Sequence, residues 1–586
     1  MAGLLTRLAS WLHRREVTVW YDPLYRLPIS GLEATVGMEP RRADFAAWWL
    51  RESGAVPARA FRRPHRISFE NLARVHTPEL LESLGRPEVV ASVFAVDPSD
   101  VPVDEVMTTV RLACGGTLAG ARESLRTRVP ALNLLGGFHH GAPAAAGGNC
   151  PVNDVAVAIA TLRAEGFAGR IAILDLDAHP PDGLAACLAG APDVWIGSIS
   201  GSDWGPLAGV DETVLPEGTG DGPYLDTLAA LLARMPRPKL AFVLSGGDVL
   251  AGDRFGRLGL TLEGARSRDL LVAAELEYVP TVWLPAGGYS RGSWRALAGT
   301  GMAVAAGSRD AIPPAYDPIA ARFAAVADQL SPSALTEEGE LTAEEIEEEL
   351  GMRPRRQRLL LGFYTAGGIE HAFYRFGIFD LLERLGYRQF RAEFDAPGAG
   401  ERVRILGQSG GVEHLLVEVV LERRRVAGVD ALYIHWLSLR NPRAVFSDRR
   451  PRLPGQEVPG LGISREVGTM LALMASRLGL GAVVFRPAHF HTAYAARHAF
   501  QFVDPDRQGR FEALLRDLAG VPLLEATTAI AEGRVRMDGA PYVWEADEMA
   551  YWLRESPVEA GEVERERDRV HFTYDRTLTD GAGIAR

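Results

Sequence analysis

Short apolar runs alternate with helical patterns between residues 17 and 306, and this alternation restricts the chain to few folds. The helical stretches between the runs include DVAVAIATLRAEG and YLDTLAALLARM. Continuous apolar strands separated by helices are typical of a parallel sheet that helices cover on both faces. The runs, each ending in small or polar residues, are VTVWYD, ALNLLGG, IAILDLD, DVWIGSIS, KLAFVLSGG and TVWLPAGG. The sequence therefore predicts an α/β fold whose chemistry gathers beyond the carboxyl ends of the strands.

The length of 586 residues exceeds what one hydrophobic core usually supports, so we expect two domains. We place the first at residues 1–330 and the second at residues 357–548, followed by a charged tail at 549–586. Between the domains, residues 331–356 are acidic and then basic, with almost no core-forming content. This composition predicts a linker.

Charge and composition exclude several classes of partner. A net charge of -12 argues against a nucleic-acid groove, because phosphate binding requires clustered Lys and Arg. No stretch approaches the roughly 20 apolar residues that a membrane span requires. The three cysteines form no CxxC pair, which fits a reducing compartment. We therefore expect a cytoplasmic protein with no membrane or nucleic-acid partner.

Acidic residues and a histidine follow the apolar run IAILDLD at a spacing that suits a metal ion. Asp177 and His179 are two residues apart, so on an extended segment their side chains point the same way. Asp248 follows another apolar run, with small residues before it. Two carboxylates and an imidazole suit zinc with room for a water, and the ligand types also permit iron or cobalt.

Hydrolysis at such a site also needs a base and an electrophilic helper. The segment GGFHHG offers His139 and His140 side by side, and PAGGY offers Tyr289. Tandem histidines can be structural, and a Gly-Gly-Tyr segment is usually only a turn. The combination of these segments with the predicted ligands favours a functional site.

The segments GGFHHG, GGNCPVNDVAVA, DLDAHPPDG, SGGDVLAGDRFGRLGLT and PAGGY occur in this order within residues 17–306. In this order they resemble the histone deacetylase family, which has the arginase/deacetylase fold. Two further segments, YDPLYRLP and LPEGTGDGPYL, resemble the prokaryotic members of that family. The resemblance implies a zinc-dependent deacetylase in which the three predicted ligands hold the ion.

The resemblance also implies roles for residues around the ion. His140 matches the general base, and His139 matches the neighbouring electrostatic or proton-transfer histidine. Asp175 and Asp182 match the carboxylates that orient these two imidazoles. Tyr289 matches the tyrosine that polarises the scissile carbonyl.

A second ion and the rim of the site are implied in the same way. The backbone carbonyls of Asp175, Asp177 and His179, together with Ser198, match a structural potassium site. Asp100 lies where the family has a rim aspartate that binds the substrate backbone.

The chain departs from the family pattern without losing a ligand, the base or the tyrosine. Pro180–Pro181 replace a His-Gly pair, and Ser200 stands where many members have a histidine. Asn149, next to Gly148, replaces an aromatic residue of the substrate channel, which predicts a wider or more polar channel. An inactive relative of the family is the alternative that these changes leave open.

The pattern of strands and helices in residues 415–504 resembles the GNAT-type N-acetyltransferase fold, which is α+β. That fold holds the pyrophosphate of acetyl-CoA with backbone N–H groups at a helix N-terminus. The corresponding segment here, QEVPGLGIS, contains Gly460 and Gly462; an ordinary turn into a helix is the alternative. His489 and His491 could form a second metal pair, but we interpret them as packing residues, because no carboxylate or cysteine partner is evident nearby.

These observations predict a zinc-dependent deacetylase that hydrolyses an N-acetyl or other N-acyl amide of lysine or of a small amine. Two alternatives stay open. One is a non-catalytic protein that binds an acylated ligand while its second domain senses acetyl-CoA. The other is a bifunctional deacetylase and acyltransferase.

Overall fold

The computed structural model describes most of the chain: residues 16–29, 32–188, 190–191, 193–306, 316–336, 359–398, 400–447 and 450–574. The chain divides into two compact units, Met1–Pro318 and Ile319–Arg586. Most of the predicted linker, 331–356, lies outside the described residues. The bounds of the four segments expected from the sequence stay predictions.

The first unit is built on one sheet of eight strands, in the order β2-β1-β3-β8-β7-β4-β5-β6. Every neighbouring pair in this sheet is parallel. The strands are β1 (Thr18–Trp20), β2 (Phe61–Arg62), β3 (Ala131–Asn133), β4 (Ile171–Asp175), β5 (Val194–Ser200), β6 (Val210–Val214), β7 (Leu240–Leu244) and β8 (Thr281–Leu284).

Helices connect these strands, because parallel neighbours require crossover connections. They are α1 (Leu32–Val36), α2 (Arg42–Glu52), α3 (Phe69–Leu72), α4 (Pro78–Ser83), α5 (Pro87–Phe94), α6 (Val103–Thr127), α7 (Asp154–Ala164), α8 (Asp182–Leu188), α9 (Asp221–Arg234), α10 (Leu262–Glu275) and α11 (Ser293–Ala306). Every residue of the four central strands β3, β4, β7 and β8 is buried. Burial on both faces is typical of a parallel sheet in an α/β fold, so that prediction is confirmed.

The strand order brings four polar segments to one edge of this sheet. The strands β3, β8, β7 and β4 are consecutive neighbours. Their carboxyl ends are followed by GGFHHG, PAGGY, SGGD and the DAH of DLDAH, respectively. Because parallel strands end at the same edge, the topology collects the predicted functional residues in one place.

The second unit contains a mixed sheet of seven strands, in the order β14-β17-β13-β12-β11-β10-β9. Only β12 and β13 are parallel; the other neighbours are antiparallel. The strands are β9 (Arg388–Gly398), β10 (Gly400–Ser409), β11 (Val412–Val426), β12 (Val429–Leu439), β13 (Ala482–Phe485), β14 (Gln501–Phe502) and β17 (Met549–Trp552). A small sheet adds β15 (Val535–Met537), β16 (Ala540–Pro541) and β18 (Phe572–Tyr574).

Helices of this unit flank and link the strands, and their mixture with the sheet agrees with an α+β unit. They are α12 (Pro318–Gln329), which begins at the last residue of the first unit, α13 (Pro332–Thr336), α14 (Ala366–Arg375), α15 (Ile378–Arg384), α16 (Ser464–Arg477), α17 (Phe490–Ala496), α18 (Pro505–Asp517), α19 (Leu523–Ala531) and α20 (Ala560–Arg569). None of the helices in the described part of the chain is long and apolar enough to cross a membrane.

The structure differs from the charged tail expected at 549–586. Met549–Trp552 is a strand that pairs with β13 on one side and with β14 on the other. Met549 and Ala550 are fully buried there. Four residues are too few to show strand periodicity in the sequence, and their partners are distant along the chain. Residues 575–586 lie outside the described part.

Candidate active site

Three side chains that can bind a metal meet beyond β4 and β7. The Nδ1 atom of His179 lies 3.0 Å from Oδ1 of Asp177 and 3.1 Å from Oδ2 of Asp248. One potential ligand atom from each residue lies within 4.8 Å of the other two. Both carboxylates are fully buried, and the histidine is partly buried. The donor set and its closeness therefore fit a tetrahedral zinc site with a position left for water.

A backbone segment after β8 closes the other side of this cluster. The N–H of Gly287 donates to Oδ2 of Asp177 at 2.6 Å. A Cβ atom at Gly287 would overlap both carboxylates. Gly287, the first glycine in PAGGY, is thus required for the close approach of the backbone to the cluster.

The electrostatics of the cluster favour a cation. Burial raises the pKa of Asp248, and the neighbouring charge of Asp177 raises it further. For Asp177, burial opposes ionisation, but His139 and His179 outweigh it and hold the pKa well below the usual range. Burial would lower the pKa of His179, yet the two carboxylates raise it to about 11. The raised pKa of His179 shows that the two buried carboxylates favour a positive charge at this point.

Each of the tandem histidines has its own carboxylate. Nδ1 of His139 lies 2.9 Å from Oδ2 of Asp175, at the end of β4. Nδ1 of His140 lies 2.6 Å from Oδ1 of Asp182, the first residue of α8. The imidazole centroids are 4.0 Å apart, and that of His140 is 5.9 Å from the ring of His179. The structure thus brings together the histidine pair, its two carboxylates and the metal cluster.

The two histidines differ in their readiness to hold a proton. Although burial lowers the pKa of His139, the carboxylates of Asp175 and Asp177 raise it to about 9. Burial and the charge of His139 lower the pKa of His140, against the opposing effect of Asp182. At neutral pH one ring is therefore protonated and the other can accept a proton. Such a divergence between adjacent groups is typical of an acid and base pair.

A buried hydrogen-bond network fixes the histidine loop. The carboxylate of Asp154, at the start of α7, accepts from the N–H groups of Gly137 and Phe138 at 3.1 and 2.7 Å. Thr117 donates to the same carboxylate at 2.6 Å and accepts from Asn133 at 3.0 Å. The hydroxyl of Tyr25 then donates to Asn133 at 2.6 Å. This network gives YDPLYRLP and GGNCPVNDVAVA a shared structural role.

A buried histidine outside the site holds the other end of this loop. Nδ1 of His76 lies 3.0 Å from the carbonyl oxygen of Ala142, and its Nε2 accepts from the N–H of Asn153 at 2.9 Å. The Asn153 side chain donates to the carbonyl of Gly141 at 3.0 Å. The neutral His76 ring therefore connects both sides of the segment that follows His140.

Tyr289 lies opposite the histidine pair. Its backbone N–H donates to Oδ2 of Asp253 at 2.7 Å, and its ring centroid is 6.3 Å from that of His179. Nδ2 of Asn149 donates to its hydroxyl oxygen at 3.4 Å. Burial, together with the charges of Asp177 and Asp248, raises the pKa of Tyr289 well above its ordinary value. The phenol stays protonated and can donate a hydrogen bond.

The remaining predicted residues lie as follows. Gly148 has a φ of +56°, and a Cβ there would overlap the imidazole of His140. Ser198 pairs in register with Asp175, is fully buried, and its hydroxyl has no partner among the described residues. Asp100 is buried in a short 3-10 helix, Pro98–Asp100.

The departures from the family pattern have local explanations. Pro180–Pro181 lead into α8, where the N–H of Ala185 donates to the carbonyl of Pro181 at 2.9 Å. The prolines therefore leave Asp182 within reach of His140. The hydroxyl of Ser200 donates to Oε1 of Glu212 at 2.8 Å.

Sequence reasoning missed two aromatic residues at the mouth of the site. The ring of Trp204 lies 5.4 Å from that of His140 and 6.0 Å from that of His179. The ring of Phe255 lies 5.0 Å from that of Tyr289. Both are about half exposed, and both lie in loops without periodicity that could have identified them.

Two buried arginines that support the site were also missed. Nη1 of Arg268 donates to the carbonyl of Leu176 at 3.2 Å, one residue before Asp177, and to that of Gly246 at 2.8 Å, two residues before Asp248. Its Nε lies 2.9 Å from Oδ1 of Asp269. Arg42 donates to the carbonyl of Ala286 at 2.7 Å, in the PAGGY segment.

Gly460 and Gly462 lie in the second unit and are exposed. They precede α16, whose N-cap residue, Ile463, gives no side-chain hydrogen bond to the helix. Gly462 has a φ of +72°, the left-handed region that glycine adopts readily.

Comparison with known proteins matches residues 37–304 to the histone deacetylase domain model. The first unit contains a histone deacetylase domain. The chain is 29% identical over 301 residues to histone deacetylase 2 of Arabidopsis thaliana. The aligned region covers 48% of this chain and 77% of that protein. It is also 35% identical over 188 residues to an uncharacterized Picosynechococcus protein. That aligned region covers 30% of this chain and 62% of the Picosynechococcus protein.

A crystal structure of the HDA15 HD domain is also similar, with 21% identity and a TM-score of 0.41, over 50% of this chain and 88% of that one. The relatives of the deacetylase domain indicate a hydrolase that acts on acetylated amides.

Proposed function

We propose that the deacetylase domain is a zinc-dependent hydrolase that removes an acetyl or other short acyl group from a lysine side chain or a small amine. The observation that carries this proposal is that His140, with its carboxylate, lies beside both the Asp177, His179 and Asp248 cluster and the exposed Trp204. A base, a cation site and an entrance are thus adjacent.

Asp177, His179 and Asp248 would hold the ion, for the reasons of donor type, closeness and electrostatics given above. A bound zinc ion supplies an acidified water and an electrophile for the acyl oxygen. Iron is the other ion that these ligand types accept.

The protein groups then divide the proton transfers. His140, neutral and oriented by Asp182, accepts a proton from the water as its oxygen bonds to the acyl carbon. Tyr289 donates a hydrogen bond to the carbonyl oxygen as negative charge develops there. The C–N bond breaks, and His140 or the protonated His139 delivers a proton to the departing nitrogen. The products are a free amine and a carboxylate.

The potassium site stays part of the proposal. The backbone carbonyls of Asp175, Asp177 and His179 with Ser198 would form it. The hydroxyl of Ser198, buried and without a partner among the described residues, supports a ligand at this position, because buried hydroxyls are normally satisfied.

Substrate contacts at the rim are proposed for three residues. Asn149 and Gly148 lie beside Tyr289 and His140, where a substrate would enter, and Asn149 makes this wall polar. Asp100 would bind the substrate backbone, as the family resemblance implies.

The test is metal content and turnover of the zinc-loaded full chain on an acetyl-lysine peptide and on acetylated polyamines. Tyr289→Phe and His140→Ala should each lower turnover by roughly a hundredfold or more. Tyr278→Phe, at a tyrosine that is 86% exposed, is the matched control and should leave turnover unchanged. Bound metal without turnover on either class of substrate would favour the non-catalytic alternative.

A second candidate function concerns the second unit. We propose that it has a GNAT-like fold and binds acetyl-CoA, either for acyl transfer or as a sensor. Support comes from the parallel pair β12 and β13, with α16 between them in the chain. The pairing spans the whole of β13, Ala482–Phe485, and β12 continues beyond it to Leu439.

Calorimetric titration of the full chain with acetyl-CoA tests this proposal. Gly460→Glu places a negative charge before the N-terminus of α16 and should weaken binding at least tenfold by repelling the pyrophosphate. Gly468→Glu, within the same helix at a site with open space for a side chain, is the control. Absence of acetyl-CoA binding to the wild type would exclude both the sensor and the bifunctional alternatives.

A further inference from the structure

A cavity of about 430 Å³ lies in the second unit. It is enclosed by the segment after β13, by the end of α19 and by the segment before β17. Pro454, from the loop before α16, completes the lining. This volume is within the range of pockets that hold small molecules.

The apolar wall of the cavity is fixed by its own contacts. Phe490 and Trp544 both line the cavity, and their ring centroids are 5.8 Å apart in an edge-to-face arrangement. Nε1 of Trp544 donates to the carbonyl of Pro487 at 3.0 Å, and the Arg507 guanidinium lies 5.2 Å from its ring centroid. The wall is therefore preformed and needs little reorganisation to accept an apolar ligand.

Thr527 and His489 contribute polar atoms to the lining of the cavity. Thr527 lines the cavity and is 3% exposed, and its hydroxyl has no partner within the described residues. His489 also lines the cavity, with its ring stacked on His491 at a centroid distance of 5.4 Å. Because buried polar groups are normally satisfied, the unpartnered Thr527 hydroxyl points to a ligand.

The charge at the cavity selects the kind of ligand. Glu532 is the lining carboxylate, and it lies at the exposed end of the cavity. One of its oxygens, Oε2, accepts from Nε of Arg534 at 2.8 Å. No Lys or Arg is among the lining residues of the described chain. A cationic head group is therefore favoured over an anionic one.

We propose that this cavity binds a small aliphatic amine. The hydrocarbon chain would pack against Phe490 and Trp544, and the ammonium group would donate to Thr527 and interact with the carboxylate of Glu532. This proposal rests neither on the hydrolytic proposal nor on the acetyl-CoA proposal.

The experiment is calorimetric titration of the full-length chain with hexylamine, hexanol and hexanoate. Hexylamine should bind more tightly than hexanol, and hexanoate should bind least. Thr527→Val, which keeps the shape of the side chain, should weaken hexylamine binding by about tenfold to a hundredfold through loss of one hydrogen bond to a charged group. Glu532→Gln should reduce the preference for the amine over the alcohol.

A third variant protects the test against misfolding. Ala488→Trp fills the cavity from an exposed lining position and should abolish binding without a change in the unfolding transition. None of the three variants should alter amide hydrolysis, which depends on the first unit.

The outcomes separate this proposal from the hydrolytic one. Hexylamine binding that persists in Ala488→Trp would locate the amine elsewhere and overturn the proposal, and so would tighter binding of hexanoate. Absence of hexylamine binding to a folded, hydrolytically active wild type would overturn it as well. Loss of hydrolysis in the His140→Ala variant would leave hexylamine binding intact.

Discussion

Nδ1 of His140 lies 2.6 Å from Oδ1 of Asp182, and the carboxylate of this pair is open to solvent. The Asp182 side chain is 48% exposed, whereas Asp175, the partner of His139, is fully buried. The two histidine–carboxylate pairs are therefore not equivalent. The buried pair keeps its proton, and the pair nearer the mouth can exchange one with substrate and water.

Replacing Asp182 with Asn tests the orienting role of this contact. The amide keeps the shape of the side chain but removes the negative charge. That charge raises the pKa of His140, against the lowering effects of burial and of His139. We expect kcat/KM for amide hydrolysis to fall by about 10-fold to 100-fold, the usual effect of losing a carboxylate that orients a functional histidine. Steady-state kinetics of the zinc-loaded enzyme give the measurement.

Asp226→Asn is the control, because this exposed aspartate lies on α9. If Asp182→Asn and Asp226→Asn had equal kcat/KM values, Asp182 would have no role in catalysis.

Metal binding should stabilise the first unit. Without an ion, burial and the neighbouring charge of Asp177 both disfavour the ionised form of Asp248 and raise its pKa. A ligand that binds only the native state adds about 2.7 kcal/mol at a free concentration of 100 Kd. We therefore expect zinc to raise Tm and a chelator to lower it, as measured by differential scanning calorimetry.

His179→Ala removes the ligand candidate that lies between the two carboxylates. This variant should lose the zinc-dependent part of the Tm shift. An equal shift in the variant and the wild type would mean that zinc stabilises the protein at another place.

Arg268 is expected to be essential for stability. Its guanidinium is fully buried, pairs with Asp269, and donates to the carbonyls that precede Asp177 and Asp248. Arg268→Met leaves the Asp269 charge without its partner and should lower the free energy of unfolding by about 3–5 kcal/mol. Urea unfolding measures this loss, and the zinc affinity of the variant should fall as well.

The pair of Arg234 and Asp211 provides a matched control on the surface. Their side chains are 46% and 31% exposed, and the shortest distance between them is 2.8 Å. Arg234→Met should have little effect, because exposed ion pairs contribute little. If Arg268→Met lowered the free energy of unfolding as little as Arg234→Met does, the buried arginine would not stabilise the strand ends.

The sequence was sufficient for the α/β fold of the first unit and for the expectation that Asp177, His179 and Asp248 lie close together. Apolar runs ending in polar residues indicate parallel strands. The two-residue spacing of Asp177 and His179 predicts that their side chains point to the same side of an extended segment. The topology then explains why Asp248, 69 residues beyond His179, reaches the same point.

The sequence was insufficient where a contact depends on packing between distant segments. Arg268 contacts Leu176 across 92 residues, and no local pattern distinguishes it from other helical arginines. Trp204 and Phe255 come from loops, where side-chain periodicity carries no information. The strand Met549–Trp552 is not visible in the sequence, because its burial depends on strands β13 and β14.

His76 should make the stability of the first unit depend on pH. Burial lowers the pKa of His76 below its ordinary value of about 6.5, against the opposing effect of the carbonyls of Ala142 and Pro143. The unfolded chain therefore binds a proton at this residue more readily than the folded chain does. Stability from this group is complete above the unfolded pKa and is lost as the pH falls through that value toward the folded pKa.

His76→Gln removes the titration and retains one donor and one acceptor. Between about pH 7 and pH 5, the free energy of unfolding of the wild type should fall more steeply than that of the variant. The difference in slope has an upper limit of about 1.36 kcal/mol per pH unit for one proton. His65→Gln, at an exposed position, removes a histidine without touching the loop contacts and should behave as the wild type. Parallel slopes for the wild type and His76→Gln in urea unfolding at several pH values would contradict the prediction, because the folded ring would then bind its proton as readily as the unfolded one.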